Sequence, residues 1–227
     1  MSEIQIARQD VLLVTDVQND FCPGGALAVA GGDQVIPIIH TIAPRFEHII
    51  LTQDWHPPGH HSFACTHADK HPFEQVRVSY GEQTLWPAHC VQGTPGAEFH
   101  PDLQLPRAEL ILRKGFRPAI DSYSAFFEND RITTTGLNAY LRERGLKRVF
   151  LVGLAYDYCV GSSALDARQL GFPAIIIRDA CRAIDLNGSV AAIEKEFAAA
   201  GVGLIESGEI DRFIQSRPSE VWTGHSA

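Results

Sequence analysis

Short apolar runs, many of them rich in β-branched residues, recur along this chain of 227 residues. Runs that are apolar on both faces indicate strands covered on both sides, which is the pattern of a parallel sheet. The sequence therefore predicts six strands, at 11–14, 48–52, 110–112, 149–152, 174–177 and 202–205.

Between these runs, apolar residues recur at helical spacing, and glycines follow three of the stripes, at Gly145, Gly171 and Gly201. Alternating strands and helices predict an α/β fold, doubly wound, with a mostly parallel sheet of about six strands and helices on both faces. The predicted helical stripes are Val35–Ile38–Ile39–Ile42, Leu137–Tyr140–Leu141, Val160–Ala164–Ala167–Leu170 and Val190–Ile193–Phe197.

The segment 54–107 has no sustained period and is rich in Pro, Gly, His and Gln. Because a structureless loop of this length is uncommon inside a compact domain unless it is functional, we predict short helices, a lid and a metal site in this excursion after the second strand. The length of the chain fits one domain, 1–227.

The net charge of −8 disfavours binding to nucleic acid or to anionic lipid. No apolar run approaches the roughly 20 residues that span a bilayer, and the N-terminus does not resemble a signal peptide. We therefore expect a cytoplasmic protein that binds a small molecule and neither nucleic acid nor membrane.

The five cysteines are far apart and include no CxxC pair, which argues against a disulfide framework and against a thiolate zinc site. They are Cys22, Cys65, Cys90, Cys159 and Cys181. Seven of the ten histidines lie between His56 and His100, a density typical of metal sites but also of polar surface loops.

Reactive side chains follow four of the predicted strands. Asp16 follows the first, Asp54 the second, Lys114 the third, and the segment 153–159 with Cys159 the fourth. Ligands of open parallel sheets bind beyond the carboxyl ends of the strands, so these residues should meet at one edge.

Cys159 is predicted at the start of a helix, where the helix dipole lowers the pKa of a thiol and backbone N–H groups can hold an oxyanion. Lys114 would then hold the thiolate as an ion pair, and Asp16 would act as the general base. Structural alternatives remain for each: a small buried cysteine, an exposed lysine and a loop or capping aspartate.

Asp54 and His56 lie two residues apart, on the same side of an extended segment, and can offer an oxygen and a nitrogen ligand. His89 would complete a mixed set that keeps open positions, as catalytic metal sites do. Such a set suits Zn²⁺, Fe²⁺ or Mn²⁺. Spacing leaves other ligands open, namely His60, His61, His67 and His71.

Five motifs occur in one order along the chain: DVQNDF (16–21), TQDWHPPGHHSF (52–63), WPAHCVQGTPGAEFHPDL (86–103), KGFRPAIDSYSAFF (114–127) and GLAYDYCV (153–160). From about 11 to 205 the chain therefore resembles the isochorismatase-like cysteine hydrolases and, within them, the nicotinamidase family.

The resemblance implies a catalytic triad of Asp16, Lys114 and Cys159. It implies one divalent metal ion, zinc before iron or manganese, and its ligands would be Asp54, His56 and His89, with Ser62 as a further ligand through water.

The resemblance also implies a cis peptide between Leu154 and Ala155, with an oxyanion hole formed by the N–H groups of Ala155 and Cys159. The substrate pocket would be lined by Phe21, Trp86, Tyr123, Ala155 and Tyr156.

The implied activity is hydrolysis of nicotinamide, and also of pyrazinamide, through a cysteine thioester, in NAD salvage. The alternatives are a metal-independent hydrolase of carbamoyl or ureido substrates, a metal-hydroxide hydrolase that does not use cysteine, and a non-catalytic binding protein. The number of subunits stays open, with a homo-oligomer among the options.

Overall fold

The structure is a computed structural model that describes residues 6–211. These residues form eight strands: β1 (Asp10–Thr15), β2 (His48–Asp54), β3 (Gln75–Val78), β4 (Gly81–Thr84), β5 (Leu110–Lys114), β6 (Arg148–Leu154), β7 (Ala174–Arg182) and β8 (Gly203–Ile205). The α-helices of the same residues are α1 (Val35–Ile42), α2 (Leu137–Glu143), α3 (Gly161–Gln169), α4 (Ser189–Ala200) and α5 (Gly208–Asp211).

Six strands form one sheet in the order β5-β2-β1-β6-β7-β8, and every pairing in it is parallel. The chain moves outward from β1 to β2 and β5, and then returns past β1 to β6, β7 and β8. The predicted doubly wound α/β fold is thus confirmed, with its six strands in the predicted places. The switch in direction lies between β1 and β6, where such sheets bind their ligands.

Both faces of the sheet are covered, which explains the unbroken apolar runs. In β1, Leu12 and Val14 pack into the core on the face of α1, whereas Val11 and Leu13 pack into the core on the face of α2, α3 and α4. Successive side chains of a strand point to opposite faces, so a strand buried on both faces needs apolar residues at every position.

The excursion 54–107 differs from its prediction, because its largest regular element is an antiparallel hairpin of β3 and β4. The remainder contains short 3₁₀ turns, at Ala64–Thr66 and Pro95–Ala97. The hairpin strands have four residues each and are rich in polar and charged residues, so they give no apolar signal.

No helix among residues 6–211 is long and apolar enough to cross a membrane. The predicted domain, 1–227, includes 1–5 and 212–227, which lie outside the described residues.

Gly153 lets the ends of β1 and β6 approach closely. Its φ is +109°, and a Cβ there would lie 2.1 Å from the carbonyl oxygen of Thr15. Only glycine adopts this backbone without a clash. The approach places Asp16, directly after β1, beside the segment that carries Cys159.

Phe46 gives a test of the core on the α1 face. Its side chain is fully buried, and its ring centroid lies 5.2 Å from that of Phe150. Phe46→Ala should lower the free energy of unfolding by about 3–5 kcal/mol in urea denaturation, since it removes a buried ring and leaves a cavity. Ile132→Ala, at a side chain that is 83% exposed, should change it by less than about 0.5 kcal/mol. Equal effects of the two substitutions would contradict this core.

Candidate active site

Lys114, at the end of β5, is completely buried and is the centre of the site. Its Nζ lies 2.8 Å from Asp16 Oδ2 and 2.5 Å from Asp54 Oδ1. The same ammonium donates to the carbonyl oxygen of Ser122 at 2.9 Å and lies 3.4 Å from Cys159 Sγ. The structure therefore brings together all four strand-end residues and excludes the alternative of an exposed lysine.

Asp16 is buried, and its backbone has the left-handed φ of +48°. Its Oδ1 accepts a hydrogen bond from Thr52 Oγ1 at 2.6 Å. Burial raises the pKa of Asp16 above its ordinary value, and nearby Asp54 adds to the rise, although Lys114 opposes it. A carboxylate with a raised pKa is a better proton acceptor near neutral pH.

Asp54 has the opposite behaviour. Burial alone would raise its pKa, but the Lys114 cation and nearby His56 hold the pKa of Asp54 well below its usual range. Gln18 fixes its backbone, since the Gln18 amide accepts from Asp54 N and donates to Asp54 O, both at 2.8 Å. When two carboxyl groups have their pKa values driven apart, they can take different chemical roles.

Cys159 lies in a π-helical turn, Tyr156–Val160, that leads directly into α3, and the Leu154–Ala155 peptide before this turn is cis, as expected. The expected lowering of the Cys159 pKa is corrected. Burial raises the pKa of the Cys159 thiol well above its ordinary value; Lys114 lowers it, but Asp16 and Asp54 raise it further. Burial outweighs the lysine in this balance, so a neighbouring base such as Asp16 favours formation of the nucleophile.

Asp54, His56 and His89 are all buried and can place their ligand atoms within 4.8 Å of one another. Asp54 Oδ2 lies 3.5 Å from His56 Nε2 and 3.8 Å from His89 Nε2. Each histidine uses Nδ1 for a backbone carbonyl at 2.8 Å, that of Gly115 for His56 and that of Pro87 for His89. Both Nε2 lone pairs are thereby left facing the carboxylate, which is the arrangement that metal-binding histidines adopt.

Gly115 is required for this orientation of His56. Its φ is +67°, and a Cβ there would lie 2.5 Å from the His56 ring. The glycine directly after Lys114 therefore lets the metal-site histidine approach the end of β5.

The other histidines are engaged elsewhere. His60 could join a second cluster with His56 and Asp121, but its Nε2 contacts the carbonyl oxygens of Arg117 and Ile120 at 2.9 and 3.2 Å. Its Nδ1 lies 2.8 Å from Ser62 Oγ, so neither ring nitrogen is free. The Ser62 hydroxyl is thus oriented by His60, and its expected water-mediated role stays a prediction.

His67 contacts the carbonyl oxygen of His61 at 2.7 Å, and His71 is exposed. These histidines form surface contacts of the excursion, which accounts for much of the density of histidine in the sequence.

A small cavity lies between Cys159 and the side chains of Asp54 and His89. Four of the expected pocket residues line it: Phe21, Trp86, Tyr123 and Ala155. The rings of Trp86, Tyr123 and Tyr158 meet edge to face, with centroids 4.9–6.2 Å apart. An aromatic wall of this kind suits a flat ring as ligand.

Tyr156 is a correction, because its side chain is not on the cavity. It packs on Phe197, with ring centroids 5.7 Å apart, and its hydroxyl bonds Glu194. Both of these contacts are with α4, so the Tyr156 side chain lies against that helix. Tyr158 lines the cavity instead.

Four residues of the cavity wall were missed from the sequence: Leu27, Asp121, Tyr158 and Ile184. Asp121 lies in the motif at 114–127 and Tyr158 in the motif at 153–160, so both could have been found from the sequence as pocket candidates. Leu27 and Ile184 lie in loops whose course nothing in the sequence predicted.

Comparison with known proteins agrees with this geometry. A model of the isochorismatase domain matches residues 10–207. A nicotinamidase of Acinetobacter baylyi is 54% identical over 204 residues, which cover 90% of this chain and 95% of the relative.

Solved structures share the whole fold. A nicotinamidase/pyrazinamidase of Acinetobacter baumanii has a TM-score of 0.89 and 53% identity, covering 90% of this chain and 99% of that one. A pyrazinamidase of Pyrococcus horikoshii in complex with zinc has a TM-score of 0.70 and 34% identity, covering 87% and 99%. On this match of sequence, fold and site, the chain belongs to the isochorismatase family and, within it, to the nicotinamidases.

Proposed function

We propose that the chain hydrolyses nicotinamide to nicotinate and ammonia through a thioester on Cys159, and that pyrazinamide is a further substrate. The chain is an amidohydrolase of a linear carboxamide. One observation carries the assignment of roles: Lys114 Nζ contacts Asp16, Asp54 and Cys159 together, at one end of a cavity with an aromatic wall.

The first half of the reaction uses Asp16 as base. Its raised pKa lets it take the proton of the Cys159 thiol, and the sulfur attacks the carboxamide carbon. The backbone N–H groups of Ala155 and Cys159 hold the oxyanion. Asp16 then returns the proton to the leaving nitrogen, so that ammonia departs and the acyl group stays on sulfur.

In the second half, a water molecule gives a proton to Asp16 and attacks the thioester carbonyl. The C–S bond breaks, Asp16 returns its proton to the sulfur, and the acid product loses its remaining proton to solvent and leaves as nicotinate. Lys114 stays protonated throughout, because Asp16 and Asp54 outweigh the effect of burial and raise its pKa well above the ordinary value.

The donor set of Asp54, His56 and His89 fits one divalent metal, since a carboxylate oxygen and two Nε2 lone pairs converge while both Nδ1 atoms are engaged. When bound there, a divalent ion supplies a Lewis acid for the ring nitrogen of the substrate. We propose zinc, ahead of iron or manganese, in line with the zinc complex of the Pyrococcus relative.

We further propose that the chain works in NAD salvage in the cytoplasm, as one domain spanning 1–227, without nucleic-acid or membrane partners. The net charge of −8 supports the last point. Self-association to a homo-oligomer is open to measurement.

Cys159→Ala tests the nucleophile. The variant should fold and keep its metal but release ammonia from nicotinamide with kcat below about a hundredth of wild type, because it cannot form the thioester. Cys65→Ala, at an exposed cysteine, is the control and should retain full activity. Substantial turnover by Cys159→Ala would favour a metal-hydroxide hydrolase instead.

Lys114→Met tests the central cation. It removes the charge that opposes the rise in the pKa of Cys159, so the midpoint of Cys159 alkylation by iodoacetamide should move to higher pH. At the same time kcat should fall by at least about a hundredfold. Mass spectrometry separates Cys159 from the other cysteines, and the exposed Lys147→Met is the control. An unchanged midpoint with normal kcat would remove Lys114 from the site.

His56→Ala tests the metal site. Elemental analysis should find about one equivalent of metal per wild-type chain and far less in the variant, which lacks one of three ligands. His71→Ala, at an exposed histidine of the same excursion, should bind metal like wild type. Equal metal content in His56→Ala and wild type would place the metal elsewhere.

A further inference from the structure

Cys90 connects the backbones of His56 and His89, the two histidines of the candidate metal site. It directly follows His89 along the chain, and its carbonyl oxygen accepts from His56 N at 3.0 Å. The backbone of Cys90 therefore sets the spacing between the two histidines. Its φ of +46° lies in the left-handed region, which residues other than glycine seldom adopt unless their surroundings hold them there.

The side chain of Asp20 holds Cys90 in this conformation. Asp20 lies in the 3₁₀ turn Asn19–Phe21 that follows β1. Its Oδ2 accepts from Cys90 N at 2.7 Å, and its Oδ1 accepts from Ala26 N at 3.1 Å, so each carboxylate oxygen has one N–H donor. The N–H of Cys90 belongs to the peptide group that joins it to His89. Asp20 thus fixes the backbone immediately after this histidine.

His89 is therefore restrained at two points. Its Nδ1 contacts the carbonyl oxygen of Pro87 at 2.8 Å, and Asp20 holds the peptide group that follows its Cα. Its Nε2 lies 3.8 Å from Asp54 Oδ2, on the side where the three ligand atoms converge. Hydrogen-bond partners of metal ligands act in this way, because they orient the ligands and tune the affinity for the metal.

A glycine makes room for the Asp20 carboxylate. A Cβ at Gly96 would lie 2.1 Å from Asp20 Oδ2 and 2.4 Å from its Cγ, so any side chain at position 96 would displace the carboxylate. The backbone of Gly96 is not left-handed, so the missing side chain is the feature that matters here. The hydrogen bonds and this close packing independently place Asp20 against Cys90.

We propose that Asp20 is a positioning residue for the divalent metal: by holding Cys90, it keeps His56 and His89 at the spacing at which both Nε2 atoms face Asp54. The inference rests on the proposed function, which places one metal ion at this cluster. Asp20 does not belong to the ligand cluster itself. Its loss should therefore weaken metal binding while all three ligands remain.

The first measurement is the Kd of zinc for the full chain after removal of metal, by competition with a chelating indicator. Asp20→Leu keeps the branched shape of the side chain but has no acceptor. It should raise the Kd about ten- to a hundredfold, the usual effect of losing a partner that orients a metal ligand. The rise in Tm on adding zinc should shrink as well, because it depends on that affinity. A Kd within about twofold of wild type overturns the proposal.

Asp179→Leu is the matched control, because Asp179 also joins two separate segments through its carboxylate. It accepts from Ser207 N at 2.8 Å and from the Ser207 hydroxyl, and it is not part of the metal cluster. Both variants should lower the Tm of the metal-free protein, but only Asp20→Leu should change the Kd of zinc. An equal rise with Asp179→Leu would reflect lost stability alone and would overturn the role of Asp20.

Gly96→Ala is a second test that keeps the carboxylate but displaces it from Cys90. The Kd of zinc should rise by about tenfold, again with the ligands intact. Gly208→Ala, where a Cβ would meet nothing within 4 Å, is the control and should bind zinc like wild type. If Asp20→Leu does not fold, Gly96→Ala decides: an unchanged Kd overturns the proposal, and the expected rise supports it.

Failure of this inference can be told apart from failure of the proposed function. A wild-type chain that binds no zinc overturns the proposed metal site itself. If wild type binds zinc and His56→Ala does not, an unchanged Kd in Asp20→Leu overturns only the role of Asp20. A wild type that binds zinc but releases no ammonia overturns the proposed amidase reaction, and the expected rise in Asp20→Leu would still support the positioning role.

Discussion

The buried ammonium of Lys114 determines the arrangement of the whole site. Removing a cation from water is costly unless opposite charges and hydrogen bonds surround it, and here two carboxylates and a carbonyl oxygen do so. The same lysine allows Asp16 and Asp54 to be buried close together, since two carboxylates without a cation would repel each other. The ends of β1, β2 and β5 are thus joined by one charge, and Cys159 of the next segment lies against it.

The parallel sheet makes this convergence possible. Because β1, β2, β5 and β6 run in the same direction, their carboxyl ends meet at one edge, and reactive residues that are distant in sequence become neighbours. Glycines at two of these ends remove the steric obstacles: Gly153 between β1 and β6, and Gly115 beside His56. The fold makes the strand ends neighbours, and the two glycines allow the closest approaches between them.

Much of this was predictable, because the sheet and the strand-end residues follow local rules. Apolar runs located the six strands, and position alone selected Asp16, Asp54, Lys114 and Cys159. The predictions that failed depend on the three-dimensional environment of a residue, which a local sequence pattern does not encode. Complete burial reversed the expected lowering of the pKa of Cys159, and Tyr156 packs against α4 instead of the cavity. The β3–β4 hairpin was missed since its short polar strands bury little apolar surface.

The two oxygens of Asp54 connect the nucleophile with the two histidines of the candidate metal site. Oδ1 is held by Lys114, which also contacts Cys159, while Oδ2 faces His56 and His89. The Gln18 amide hydrogen-bonds both backbone groups of Asp54 and so fixes the point from which the carboxylate extends. A ligand that contacts both Cys159 and the two histidines must therefore reach across this one carboxylate. Under the proposed function, this arrangement suits a carboxamide carried on a single aromatic ring, which the aromatic side chains of the cavity wall can also contact.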